Sequence, residues 1–302
     1  VDWLWIPVTV GAALAQTVRN AAQRSLTGEV GTLGATLVRF LYGLPFGLLW
    51  LGAVSGSGGV ALPATPPPFW GWVATGALSQ IAATAALLRA MEERNFALAV
   101  AYSKTEILQL ALFALLFLGD PLGPEAALAV IAATIGVLLL SPVDRERPFA
   151  TLARGLASRA SLYGLASGSG FALAAVGYRG AALALPEAGF LVAAATTLAA
   201  AQTLQTAALG GWLALHDRAV LVRVARQWRR SLLAGFMGAA ASAGWFTAFA
   251  LEPAAHVRTL GLVELVFASI ASRRLFRERL SGVEFAGMSL LALGIAAIAL
   301  AR

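Results

Sequence analysis

The chain has 302 residues, 59% of them hydrophobic and only 12% charged, with a mean hydropathy of +0.78. A soluble domain carries about 25% charged residues; here half of that is missing, and the remaining charge sits in short clusters between long apolar runs. The absence of cysteine and the presence of only two histidines exclude disulfides, thiolate metal sites and a histidine-rich metal centre. No metal or other cofactor is expected.

In chain order the apolar runs predict ten membrane spans, each near the roughly 20 residues a bilayer crossing needs. They cover residues 4–24, 33–54, 69–91, 97–118 and 124–141, then 159–185, 187–215, 231–251, 255–272 and 282–301. The first run lacks a basic leader and reads as a span, not a cleavable signal. Turn chemistry separates them: Gly28 and Gly31, the run Pro66-Pro67-Pro68, Gly119-Asp120-Pro121 and Glu252-Pro253. Helices are expected because a lipid-exposed backbone must satisfy its own hydrogen bonds. The polar segment 142–158 divides the chain into halves, 1–141 and 159–302.

A shift of 158 residues places Glu106 on Glu264, Asp120 on Glu278, Leu122 on Leu280 and Gly136 on Gly294. Five spans per half is odd, so a second copy enters the membrane from the opposite side. The expected fold is therefore an all-α polytopic membrane protein, ten transmembrane helices forming two inverted five-helix repeats around a central cavity. Charge follows the same inversion. The turn after span four reads "LGDPL", its counterpart "FRERL"; residues 55–68 carry no charge, while their counterpart contains Arg218, Arg223, Arg226, Arg229 and Arg230. Odd-numbered connections and their flanks hold 16 of the 22 basic residues, which under the positive-inside rule puts them in the cytoplasm and both termini outside. The net charge of +7 thus reads as topology and not as nucleic-acid binding.

The segments "LGDPLGPEAALAVIAATIGVLLL" and "FRERLSGVEFAGMSLLALGIAAIAL" resemble a motif of the drug/metabolite transporter superfamily, in its ten-helix EamA branch: an acid in a tight turn, a leucine, then a glycine-containing last helix. The resemblance implies helices one to four and six to nine around a cavity, with five and ten peripheral. Amino-acid exporters of this branch are similar in architecture. Their aromatic preference does not carry over, since no matching pocket motif is found. Many ten-helix relatives have cytoplasmic termini, whereas the arginines here argue the reverse.

Several side chains could carry chemistry. Glu106 and Glu264 fall mid-span, where a charge costs about 2.5–3.5 kcal/mol and marks function by default; they could handle a proton or a cationic group, or serve structurally by neutralising an arginine. Lys104, two residues from Glu106, should point to another helix face, toward a substrate carboxylate, another helix or the nearer surface. Gln16, Arg19, Asn20 and Gln23 form one polar stripe on span one that faces protein or water. With Arg39 of span two, they could line a cytoplasmic vestibule for carboxylate-bearing substrates, or hold Glu106 in a buried network. Tyr102, Tyr163, Phe171, Trp245 and Phe249 are candidates for a pocket wall. Gln202, Gln205 and Thr206 read as glue between helices, and Trp3, Trp5, Trp70 and Trp72 as interfacial anchors.

Nothing resembles a phosphate-cradling Walker loop, and no serine–histidine–acid grouping is visible, so an enzyme is not expected. The expectation is a secondary-active transporter of a bacterial inner membrane, exporting small polar metabolites, amino acids foremost, with protons as a candidate coupling ion. Its partners would be a small-molecule substrate and the lipid bilayer, with no nucleic acid; a monomer would suffice. The alternatives are a multidrug or quaternary-amine exporter or a phosphorylated-sugar antiporter of the same fold and, more remotely, a membrane-embedded enzyme or lipid scramblase.

Overall fold

The computed structural model describes residues 3–58, 62–106, 108–109, 128, 131–132, 135–136, 139, 158–251, 257 and 260–300. Among these residues every regular element is a helix: α1 (Trp5–Leu41), α2 (Leu44–Gly58), α3 (Pro67–Glu93), α4 (Phe96–Ser103), α5 (Arg159–Leu183), α6 (Phe190–His216), α7 (Arg218–Arg226), α8 (Trp228–Leu251), α9 (Val263–Arg274) and α10 (Gly282–Leu300). Most of span five, the end of span four, the connection 142–157 and with them Asp120 and Leu122 lie outside the described residues, as do His256 and Arg258.

Local chemistry sets the helix ends. Pro67 and Pro68 open α3, where their missing N–H groups cost no bond. Ser158 caps α5 by accepting from Ser161 N–H at 3.3 Å. Ser281 and Glu284 form a reciprocal capping box on α10: Ser281 N–H donates to Glu284 Oε2 at 2.8 Å and Glu284 N–H to Ser281 Oγ at 3.2 Å.

The turn expected between the first two spans shrinks to one residue. Gly31 interrupts α1 with φ 73° and ψ 168°, a conformation essentially confined to glycine. Gln23 Nε2 then reaches Ala35 O at 2.8 Å. Twelve residues of continuous helix would hold these groups about 18 Å apart, so the chain folds back here. A second break at Tyr42 and Gly43, before Pro45, divides the second expected span between α1 and α2.

The helices pair closely. α3 runs along α5, α1 along α8, α2 meets α6, α4 meets α5 and α9, and α1 also meets α9. Glycines permit the tightest contacts. A Cβ on Gly177 would lie 2.5 Å from Gly76 N and 2.9 Å from Trp72 O, and one on Gly244 2.9 Å from Ala12 Cβ. Small residues at such seams let membrane helices gain dispersion contacts that lipid cannot match.

Polar side chains share the mainly apolar interior, and large apolar ones stand on the surface. Arg19, Asn20, Gln23, Arg39, Gln202, Gln205 and Glu264 are buried, while Leu49, Leu183, Leu215, Phe285 and Leu293 are between 61% and 80% exposed. Three helical stretches, 5–56, Pro67–Glu93 and Arg159–Leu183, are long and apolar enough to cross a membrane. Buried polar clusters beneath an apolar exterior are consistent with a membrane protein.

Candidate functional site

Glu264 is the centre of the buried polar network. It lies two residues after Leu262, where α9 starts with a tightened turn, Leu265 N–H donating to Leu262 O at 2.9 Å. Its carboxylate, 1% exposed, forms an ion pair with Lys104 Nζ. It also accepts from Gln16 Nε2 at 2.6 Å and from Asn20 Nδ2 at 3.4 Å. Trp245 Nε1 donates to Gln16 Oε1 at 3.1 Å, which fixes the amide that serves the carboxylate. Asn20 in turn accepts from Arg19, 3.2 Å from Nε and 2.7 Å from Nη2. A continuous chain thus joins Trp245, Gln16, Glu264, Asn20 and Arg19, with Lys104 entering from α4.

Lys104 and Glu106 do not diverge as an ideal helix would require. α4 ends at Ser103, and Lys104 and Thr105 form a turn in which Thr105 N–H bonds to Tyr102 O at 3.1 Å. Tightening from 3.6 to 3.0 residues per turn narrows an i, i+2 pair from about 160° apart to about 120°. Both side chains line the same space.

That space is a cavity of about 460 Å³, within the range of small-molecule sites. Gln16, Arg19, Asn20, Arg39, Lys104, Glu106, Trp245 and Glu264 all line it, so residues from five expected spans converge. Tyr102 does not: it is buried behind the wall against Gly164 and accepts from Ser161 Oγ at 3.2 Å. Gln23 closes the Gly31 fold-back and stays out of the cavity. Phe171 lines it, Tyr163 is exposed on α5, and the side chain of Phe249 is outside the described residues. The arginines hold neutral partners where the sequence suggested a carboxylate: Arg19 donates to Asn20, and Arg39 Nη1 donates to Thr84 Oγ1 at 2.9 Å.

Sequence reasoning missed Gln80, Ser103 and Tyr178 in the lining and read Thr197, which also lines it, as glue between helices. Gln80 accepts from Tyr178 OH at 2.9 Å and from Gln205 Nε2 at 2.8 Å, so Gln205 is helix glue, as expected. The i, i+4 pair Gln80 and Thr84 on α3 was the available signal, of the same kind as the span-one stripe.

The two ends of the cavity differ. Ala182, Phe190 and Ala194, beside the connection from α5 to α6, belong to the lining, and Phe190 is 51% exposed. A clamp stands away from that end, and none of its residues is part of the lining. Arg24 pairs with Glu278 and its guanidinium lies 4.0 Å over the Phe276 ring, which stacks on Phe96. Glu278 Oε2 also accepts from Ser272 Oγ at 2.6 Å and from Phe96 N–H at 2.9 Å. Partial burial alone would raise the Glu278 carboxyl, but the donors Arg24, Ser272 and Phe96 N–H outweigh it and hold the group below its usual 4.5. Arg94 with Glu284, 2.6 Å apart, ties the same corner to α10.

No protein-family model matches the chain, and no curated protein matches it. A solved structure described only as "Crystal structure of protein" is 19% identical, covering 97% of this chain and 98% of its own, with a TM-score of 0.58. That likeness extends over the whole chain and shows the fold alone.

Proposed function

We propose that this chain is a secondary-active transporter of a bacterial inner membrane that moves small polar metabolites, amino acids first among them, by alternating access. The observation that carries the reading is the charged cavity: a space of about 460 Å³ lined by arginine, lysine and glutamate, inside a bundle with an apolar exterior. A buried ion pair is a poor source of stability compared with apolar packing, so charges held around a cavity are better explained by a polar cargo.

Helix pairing supports the inverted repeat. Exchanging the halves turns the α3–α5 contact into the α8–α1 contact and the α4–α5 contact into the α9–α1 contact, while α2–α6 and α4–α9 map onto themselves. The 158-residue shift also places the Lys104 turn on the Leu262 turn, so each half breaks its helix two residues before its glutamate. Arginine distribution puts the clamped end in the cytoplasm and the open end outside.

Purified protein in proteoliposomes should carry out counterflow of labelled amino acids. Glu264→Gln should reduce flux at least tenfold, and Glu106→Gln should change its pH dependence. Unchanged flux and pH profile in both variants would remove these residues from the mechanism. No counterflow of amino acids, amines or sugar phosphates would remove transport itself.

A further inference from the structure

The cavity is not charge-symmetric. Three cationic side chains, Arg19, Arg39 and Lys104, face two acidic ones, Glu106 and Glu264. Lys104 and Glu264 neutralise each other. The guanidiniums are 3% and 8% exposed, yet among the described residues neither forms an ion pair. A guanidinium carries five N–H donors. Arg19 spends two of them on Asn20, and Arg39 one on Thr84.

The two arginines are also neighbours. Their stems converge on Gly238 of α8: a Cβ built there would lie 3.2 Å from Arg19 Cδ and 3.7 Å from Arg39 Cγ. Two like charges side by side in a low-dielectric interior repel; the charge that reaches Arg19 from Glu264 is shared with Lys104. On the α6 wall of the same cavity, Thr197 Oγ1 is buried without a hydrogen-bond partner among the described residues. Paired cationic forks with donors beyond these three bonds, together with the Thr197 hydroxyl, match an oxyanion, which a guanidinium can bind in bidentate fashion. The lining also includes the apolar side chains of Leu87, Phe171, Trp245 and Leu262.

We infer that Arg19 and Arg39 form an oxyanion subsite, binding the carboxylate or phosphate of a small amphipathic metabolite whose apolar part rests on Phe171, Trp245 and Leu262. The inference rests on the cavity being a cargo site. It sets the substrate class within that reading and disfavours quaternary amines, which would enter beside two adjacent buried guanidiniums.

The test uses the full chain in neutral-lipid nanodiscs and measures its melting temperature against four probes at equal ionic strength. N-acetyl-L-leucine offers a carboxylate without an ammonium, glycerol 3-phosphate a phosphate, L-leucinamide an ammonium without a carboxylate, and tetraethylammonium a bare cation. At least one of the two anions should raise the melting temperature, and neither cation should; which anion acts identifies carboxylate or phosphate as the cargo group. Arg19→Gln and Arg39→Gln should each raise the half-saturating concentration by about tenfold or more, the loss expected for hydrogen bonds to a charged group. Arg39→Lys, keeping the charge but losing the fork, should fall between. Stabilisation by either cation equal to that by the anions, no shift with either anion, or anion binding unchanged in both Gln variants would overturn the subsite. Should a Gln variant fail to fold, the wild-type contrast between N-acetyl-L-leucine and L-leucinamide decides alone. Anion binding without flux would refute transport and leave the subsite; flux of cations alone would do the reverse.

Discussion

At the residue scale, Glu264 shows what holds the buried charges in place. Its carboxylate takes Lys104, Gln16 and Asn20 at once, so removing either charged partner strands the other in a buried site. Lys104→Met or Glu264→Gln alone should destabilise the protein by about 3–5 kcal/mol, the cost of an uncompensated buried charge. The double variant should lose much less than the two single losses added together, because neither charge is then orphaned. Thermal or denaturant unfolding of the four proteins in one detergent measures the cycle; additive losses would mean that the pair is not coupled. Glu264 was legible in the sequence as an intramembrane acid. Its partner was not, because Lys104 and Glu106 sit on opposite faces of any regular helix and no glycine or proline near "AYSKTEIL" announces the tightened turn that brings both to one cavity.

At the element scale, helix seams and loop clamps carry separate loads. Gly177 lies at the α3–α5 seam, where a Cβ would meet backbone atoms of Gly76 and Trp72, 2.5–2.9 Å away. Gly177→Ala should therefore cost about 1–3 kcal/mol by overpacking. Gly211 of α6 has nothing within 4 Å of its Cβ position, and Gly211→Ala should stabilise by about 0.5–1 kcal/mol through helix propensity. Melting temperatures moving in opposite directions would check both. The clamp adds a pH signature. Glu278 titrates below its usual 4.5 in the folded protein, so its ionised form stabilises the fold above that value, and the contribution disappears as pH falls through the lowered one. The wild-type protein should melt above Glu278→Gln at neutral pH, and the gap should close on acidification below the ordinary carboxylate range. A gap that persists in acid would show that the clamp holds without its charge. The clamp was half legible: the acid and its tight turn stood out in "FRERL", but nothing in sequence spacing ties Glu278 to Arg24, 254 residues away.

At the scale of the whole molecule, composition is what made the architecture readable. Apolar length, turn residues and arginine placement depend on the solvent around a helix, and they survive without any tertiary information. The cavity lining depends on helix rotation and on breaks at Gly31, Tyr42 and Lys104, which is why the span-one stripe was found and Tyr178 and Gln80 were not. The proposed orientation has a direct check, because the chain contains no cysteine. In cells with a permeabilised outer membrane, a membrane-impermeant maleimide should label Glu187→Cys, in the connection beside the open end. Arg226→Cys, on the arginine-rich α7, should react only after lysis; the opposite pattern would invert the topology.

The unequal ends give the bundle a preferred posture. Opening the Arg24 side means pulling a cation from a carboxylate and unstacking two phenyl rings, while among the described residues the far side has no such bolt to draw. If cargo crosses through this chamber, the slow leg of the cycle is the empty return, and one-for-one swapping of cargo would outrun net discharge.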